Sequence, residues 1–212
     1  MNKLQSIKQN NRIEKYYKFQ SKIYDSTRWA FLYGRKKIIN QLPIPRDAKI
    51  EILEIGCGTG HNLLELYNHF IDSNITGIDI SKEMILKSKE KFSNKNTRIN
   101  LIHGQVNSDI IDKKFDLILI SYCLSMINPG YLEMIKSAKQ FMKNGAIIAV
   151  VDFHDSKFNL FKDHMSNHHV RMDQQLLPIL KDDFESLSIE ITDAYMGLWQ
   201  YFTFVGMKPF FL

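Results

Sequence analysis

Between residues 50 and 153 the chain alternates short runs of β-branched and aliphatic side chains with longer stretches whose apolar positions recur at helical spacing. That rhythm is the pattern of β-α-β units around a mostly parallel sheet. It predicts strands at 50–55 (IEILEI), 74–80 (NITGIDI), 99–102 (INLI), 115–121 (FDLILIS) and 146–153 (AIIAVVDF). Between the first two, 60–71 reads as a helix with Leu63, Leu64, Leu66, Tyr67 and Phe70 near one face. A second helix, 81–92, opens on Ser81 as N-cap but lacks the glutamate of a full capping box. A third, 131–142, is closed by Lys143, Asn144 and Gly145.

Ahead of the sheet, 3–22 and 28–42 read as helices, with Ile7, Ile13, Tyr16, Tyr17 and Ile23 on one face and lysines on the other. Pro43 and Pro45 mark the link into the first strand. Beyond 153 the pattern predicts irregular or helical structure to 180, then an antiparallel pair at 187–195 and 200–205. The chain thus divides into a basic helical segment, 1–45, covering the active site, and a domain at 46–212.

At 212 residues and 44% apolar, the chain has enough material for one folded core and too little for two comfortable ones. Two cysteines, Cys57 and Cys123, make neither a disulfide framework nor a cysteine-rich zinc site, and the reading is a reducing, cytoplasmic compartment. No apolar run reaches the roughly 18 residues of a spanning helix, and the first 20 residues are polar and basic, unlike a signal sequence. The net charge of +5 is unevenly spread: residues 1–40 hold ten Lys or Arg against Glu14 and Asp25. A positive field at one end suits an anionic lipid surface, nucleic acid, or solvation alone.

The chemistry concentrates in EILEIGCGTG at 51–60, a strand running into a glycine-rich turn and then a helix. Gly56, Gly58 and Gly60 permit positive φ and close backbone approach, and the N–H groups at the helix start favour an anionic group. The spacing is G-x-G-x-G; a dinucleotide fingerprint would need its third glycine at His61. Asp79 ends the second strand, where a carboxylate faces the ligand crevice and can accept both ribose hydroxyls of a nucleoside. A plain helix-capping role for Asp79 is the alternative.

With these residues in place, 51–153 resembles a class I S-adenosylmethionine-dependent methyltransferase, through EIGCGTG, GIDIS, FDLILISYCLSMI and KNGAIIAVVDF in that order. The resemblance implies a Rossmann-like, three-layer α/β sandwich with a seven-stranded, mostly parallel sheet and an antiparallel last strand. It places the methionine end of the cofactor over Glu54 and the turn Gly56, Cys57, Gly58 and Gly60, the ribose on Asp79, and the adenine near 104–106. Ile80, Met84, Val106 and Ser121 complete that cofactor site. Where many relatives carry Asp before a small residue, this chain has Gln105, whose side-chain carbonyl can still accept from the adenine amino group.

Segments outside the sheet, YYKFQSKIYDSTRWAFLYGR at 16–35, NHHVRMD at 167–173 and GLWQYFTFVGMK at 197–208, are similar to the N-methyltransferase of betaine-lipid synthesis. That resemblance implies methylation of the amine of diacylglyceryl-homoserine, with S-adenosyl-L-homocysteine as the spent cofactor. It has Tyr24 and Arg35 close over the cofactor, Arg35 on its carboxylate. Tyr122 and His154 are the candidate catalytic groups, to orient the amine or take its proton. Arg28 and Arg171 are candidates for the substrate carboxylate, and Trp199 and Tyr201 for a face against a quaternary ammonium. The stretch H-H-x-R-x-D has two adjacent imidazoles and no partner motif, so no metal is expected.

Three rivals are weighed. A base methyltransferase would carry an Asn/Asp-Pro-Pro-aromatic turn after the fourth strand, where this chain has Ser121-Tyr122-Cys123-Leu124. A phosphatidylethanolamine or quinone methyltransferase shares the sheet. A non-catalytic, cofactor-binding partner subunit would show no methyl transfer. The basic N-terminus further predicts peripheral attachment to the inner face of a membrane.

Overall fold

The computed structural model describes residues 32–93 and 98–210. The helix expected at 3–22, the first part of 28–42, Tyr24 and Arg28 lie outside the described residues.

A left-handed Gly34 (φ 80°) precedes α1 (Arg35–Asn40), and the chain then reaches β1 (Glu51–Ile55). There follow α2 (His61–His69), β2 (Asn74–Asp79), α3 (Lys82–Phe92), β3 (Ile99–His103) and β4 (Phe115–Ser121). A single 3₁₀ turn (Leu124–Met126) leads to α4 (Tyr131–Gln140), β5 (Met142–Asp155), α5 (Asn159–Asn167) and α6 (Leu176–Asp183). The last hairpin is β6 (Glu185–Ala194) and β7 (Trp199–Met207). The seven strands run in the order β3-β2-β1-β4-β5-β7-β6, with β1 to β5 parallel and β7 antiparallel to both its neighbours. This is the Rossmann-like sandwich that the resemblance implies.

Each β-α pair buries one strand face and one helix stripe. Ile52, Leu117, Ala149 and Val151 meet Ile38 and Ile39 of α1, Leu63 and Leu66 of α2 and Ile85 of α3 on one side. Leu53, Ile118, Ile148 and Val150 meet Ile135 and Ala138 of α4 and Leu177 and Leu180 of α6 on the other. Strands buried on both faces are why β1, β4 and β5 read as near-continuous apolar runs rather than alternating ones.

The junction between the third expected helix and the fifth expected strand differs from the sequence pattern. α4 stops at Gln140, two residues short of the expected end, because fully buried Met142 already pairs with Phe115 as the first residue of β5. Lys143, Asn144 and Gly145 therefore bulge within β5 instead of capping a helix, with Gly145 at φ 71° where the register shifts. At α3 the sequence reading holds: Ser81 Oγ accepts from Met84 N at 3.3 Å, and Glu83 stands one residue too early to close a box.

Candidate active site

The carboxyl ends of β1, β2 and β4 bring the glycine turn, Asp79 and Ser121 to one edge, the place where open α/β sheets bind ligands. Gly56, Gly58 and Gly60 have φ values of 71°, 53° and 77°. Gly56 N and Cys57 N both donate to Ile78 O, at 2.8 and 3.1 Å, so the turn folds back over the end of β2. A Cβ on Gly56 would lie 2.6 Å from Cys123 Sγ, and one on Gly60 2.4 Å from Ser88 Oγ. Only glycine meets both the left-handed backbone and the close packing.

Asp79 clasps this turn. Its Oδ2 accepts from Gly58 N and its Oδ1 from Ser81 N, each at 2.8 Å, which ties the glycine turn to the start of α3. The two oxygens keep further lone pairs, so hydroxyl donors can join them. Beneath the turn, Glu54 is 1% exposed; its Oε1 accepts from Asn62 Nδ2 at 2.8 Å while Oε2 has no hydrogen-bond partner. Burial pushes its carboxyl up to about 8, against the pull of Asn62 and of the Arg35 guanidinium. A buried carboxylate oxygen in want of a donor, with a cation nearby, suits a zwitterionic amino-acid end: ammonium toward Glu54, carboxylate toward Arg35.

At the next strand, Tyr122 has φ 50° and is buried; its hydroxyl donates to Tyr33 O at 2.7 Å. Its ring meets Phe153 edge-on at 4.8 Å, Phe153 meets Trp199 at 5.2 Å, and Tyr33 lies 6.0 Å from Trp199 and 6.3 Å from Tyr201. Trp199 is fully buried, with its indole N–H unpartnered. These rings form one wall running from the end of β4 to the β6–β7 hairpin. Cys57 and Cys123 sit in or against the turn with thiols pushed up by burial, which leaves them as neutral packing groups.

Sequence reasoning overlooked Asp152, an acid within an apolar strand. It is fully buried; Oδ2 accepts from Ser125 N at 3.1 Å and Oδ1 from Phe153 N at 2.8 Å, anchoring the turn that presses Cys123 on Gly56. Burial raises its carboxyl to about 6, opposed by those hydrogen bonds. The signal was available: a lone carboxylate in AIIAVVDF has to be either paired or functional.

Not every expected residue converges. His154 follows Phe153 and so points to the opposite face, edge-on to Phe202 at 6.0 Å and beside Gln174 and Leu177 of the α6 side. Its place on the Phe202 face separates it from the Tyr122 wall. The Tyr122 hydroxyl is likewise a strut on Tyr33 rather than a group aimed at an acceptor. Arg171 stacks over Tyr131 at 4.8 Å, donates to Asn128 Oδ1 and pairs with Asp173, which already neutralises it. Its backbone still touches the site, since Arg171 N donates to Ser125 O at 2.9 Å. Near the expected adenine edge, Val106 is buried with Ile78 and Ile111, Gln105 is exposed, and Ile80 O meets the His103 ring at 3.1 Å. Met84 is buried at the start of α3. Among the described residues no group of three His, Cys, Asp or Glu is placed to hold a metal ion, and no helix is long and apolar enough to cross a membrane.

Residues 52–146 match the family described as "Methyltransferase domain". The malonyl-[acyl-carrier protein] O-methyltransferase of Priestia megaterium is 30% identical over 137 residues, 64% of this chain and 49% of that protein. The demethylmenaquinone methyltransferase of Staphylococcus haemolyticus is 28% identical over 130 residues, 60% of this chain and 52% of that protein. The chain spans about half the length of these relatives, and neither is a betaine-lipid enzyme. Among solved structures, the N-methyltransferase NodS of Bradyrhizobium japonicum WM9 in complex with S-adenosyl-L-homocysteine has a TM-score of 0.67 at 14% identity, over 83% of this chain and 86% of that one. The match, the strand order and the glycine turn agree: residues 52–146 are similar to a methyltransferase domain, and the described residues take up the class I methyltransferase fold.

Proposed function

We propose that this protein transfers the methyl group of S-adenosylmethionine to an acceptor carried on an apolar body, with the reacting atom held beside the end of β4. The observation that carries the reading is the buried, unpartnered Glu54 oxygen beneath a glycine turn clasped by Asp79. In this reading Asp79 takes the ribose hydroxyls, Glu54 the ammonium, Arg35 the carboxylate, and Val106 and Gln105 border the adenine.

S-adenosylmethionine supplies a methyl on a sulfonium, so the chain's contribution is alignment and exclusion of water rather than a covalent nucleophile. The residues at the β4 end fit that division of labour. Tyr122 and Phe153 are apolar walls, Trp199 offers a buried N–H to an acceptor oxygen, and neither expected acid–base side chain is aimed at them. The acceptor therefore arrives with its lone pair free, or loses its proton to water.

The finer expectation, the amine of diacylglyceryl-homoserine, rests on the sequence resemblance outside the sheet. The relatives' names add one other lipid-borne acceptor, demethylmenaquinone, and one carrier-bound acceptor, the malonyl carrier-protein ester. An aromatic wall open at a hairpin favours the lipid-borne class. Purified protein given methyl-labelled S-adenosylmethionine should label one acceptor among diacylglyceryl-homoserine, demethylmenaquinone and a cell lipid extract, read by mass spectrometry. Labelling of malonyl carrier protein alone would refute the lipid-borne reading, and no labelling of any acceptor would refute the activity.

A further inference from the structure

On the α6 side of the sheet, away from the aromatic wall, the carboxyl end of β5 borders a shallow cleft of about 260 Å³. Its lining is His154, Gln174, Leu177, Pro178, Lys181 and Asp182. His154 is only 8% exposed, and its Nδ1 has no hydrogen-bond partner. Buried polar side-chain atoms are almost always hydrogen-bonded, so an orphaned imidazole lining a cleft singles out a group that a ligand can engage. Methyl transfer beside β4 gives this side chain no role, since it packs on Phe202, on the face opposite Tyr122 and Phe153.

The main chain frames the cleft. Gln174, a non-glycine residue at φ 62°, donates its N–H to His154 O at 3.1 Å and its Nε2–H to Asp155 Oδ2 at 2.6 Å. Gln175 N donates to Asp173 Oδ1 at 3.2 Å. A left-handed conformation of this kind persists only where its surroundings fix it, and here it starts α6 beside His154. No side chain caps the first N–H groups of α6 and no acid stands in its first turn, so the positive end of the helix is unanswered within the element. Lys181 follows Leu177 by four residues, about one helical turn, and brings a second positive group to the lining. Asp182 is the one acid of that lining, and Leu177 and Pro178 give it an apolar floor.

We propose that this cleft is a binding site for a small monocarboxylate, its carboxylate between the His154 ring and Lys181 and its apolar body against Leu177 and Pro178. Two positive features and a ring able to take a proton outweigh one acid, which selects an anion over a cation. The apolar floor selects an organic acid over inorganic phosphate. The volume lies below the roughly 300–1,000 Å³ of a drug-sized pocket, which restricts the guest to a small molecule. Burial holds the His154 imidazole below its ordinary pKa against the pull of Asp155; a carboxylate beside the ring opposes that burial, so binding is accompanied by proton uptake. The charges that face the ring are Asp155, paired with Lys162, and Lys181 and Asp182 of the lining. The site is independent of which acceptor is methylated.

Benzoate is the probe, with benzyl alcohol as its neutral control. Calorimetry on the full chain should show saturable benzoate binding that Lys181→Met weakens about fivefold and His154→Gln about tenfold, with benzyl alcohol bound more weakly than benzoate. In proton NMR the His154 ring signals, assigned by their loss in His154→Gln, should titrate at higher pH when benzoate is present. S-adenosylmethionine affinity should be equal in wild type and Lys181→Met, which shows the variant folded. The site is overturned by the absence of saturable binding, or by benzoate binding that neither substitution weakens, that benzyl alcohol matches or that S-adenosylmethionine displaces. A His154 titration unmoved by saturating benzoate overturns it equally. Full displacement of benzoate by equimolar inorganic phosphate overturns the monocarboxylate assignment. Methyl transfer by the same preparations is read separately, so none of these outcomes is confused with failure of that activity.

Discussion

At the scale of single residues, Glu54 carries the clearest consequence. Its folded pKa, near 8, stands above the ordinary carboxylate value of 4.5, so the folded state holds a proton that the unfolded chain has given up. The sign follows: stability of the ligand-free protein falls as pH rises from about 4.5 to about 8 and is level above that. Asp152, raised to about 6, adds to the same decline over its lower part. Glu54→Gln should stabilise the ligand-free protein at pH 8 by roughly 1–3 kcal/mol in thermal melts, yet bind S-adenosylmethionine at least about tenfold more weakly. Unchanged affinity would separate Glu54 from the cofactor's ammonium. Asp79→Ala removes the acceptor for Gly58 N and Ser81 N together; calorimetry should show cofactor affinity reduced by about a hundredfold, with a native far-UV spectrum. Tyr122→Phe orphans the Tyr33 carbonyl, and a loss of about 1 kcal/mol in denaturant unfolding is expected without loss of methyl transfer. Abolished transfer at full stability would restore a chemical role to that hydroxyl.

Elements show what the sequence makes legible and what it hides. The central strands are legible because strands buried on both faces read as short continuous apolar runs, and the helices between them because their buried stripe recurs at a period of 3.6. The glycine turn and Asp79 were equally readable, since positive φ and a strand-end acid leave residue-type signatures. What stayed hidden was facing. Tyr122 follows β4 and His154 lies near the end of β5, and the packing of the His154 ring on Phe202 puts it on the face opposite Phe153 and Tyr122. Arg171 looked available until Asp173 and Tyr131 closed on it from nearby and from 40 residues away. Asp152 was hidden differently, because its partner Ser125 belongs to another strand's exit. The packing of that exit on the glycine turn predicts a coupling: Gly56→Ala should cost both fold stability and cofactor affinity, and Cys123→Ala in the same chain should recover part of the loss. The φ of 71° would prevent complete recovery. Full rescue would show that contact, and not backbone conformation, sets the glycine requirement.

For the whole molecule, the sheet ends on β6, whose Leu187, Ile189 and Ile191 are exposed at 45%, 36% and 48%. Alternation puts Ile189 and Ile191 on one face of this edge strand, with Leu187 in the bulge just before them, a template for unwanted strand pairing. Glu190, on the other face, is already engaged by Lys37 and Gln41 of the α1 region and so guards only that side. Ile189→Lys is expected to reduce concentration-dependent light scattering on mild heating while leaving methyl transfer unaltered. The charge distribution belongs to the same scale. Ten cations are gathered in residues 1–40, and the remainder carries an acidic excess, so charge is unevenly divided along the sequence.

The clasp made by Asp79 has one more implication. Because both its carboxylate oxygens grip main-chain amides of the chain itself, internal hydrogen bonds fix the shape of the glycine loop, and capture of a nucleoside there should require little refolding of the peptide. Stopped-flow traces should accordingly be single exponentials whose rate climbs linearly with ligand concentration, free of the plateau that a slow rearrangement would impose.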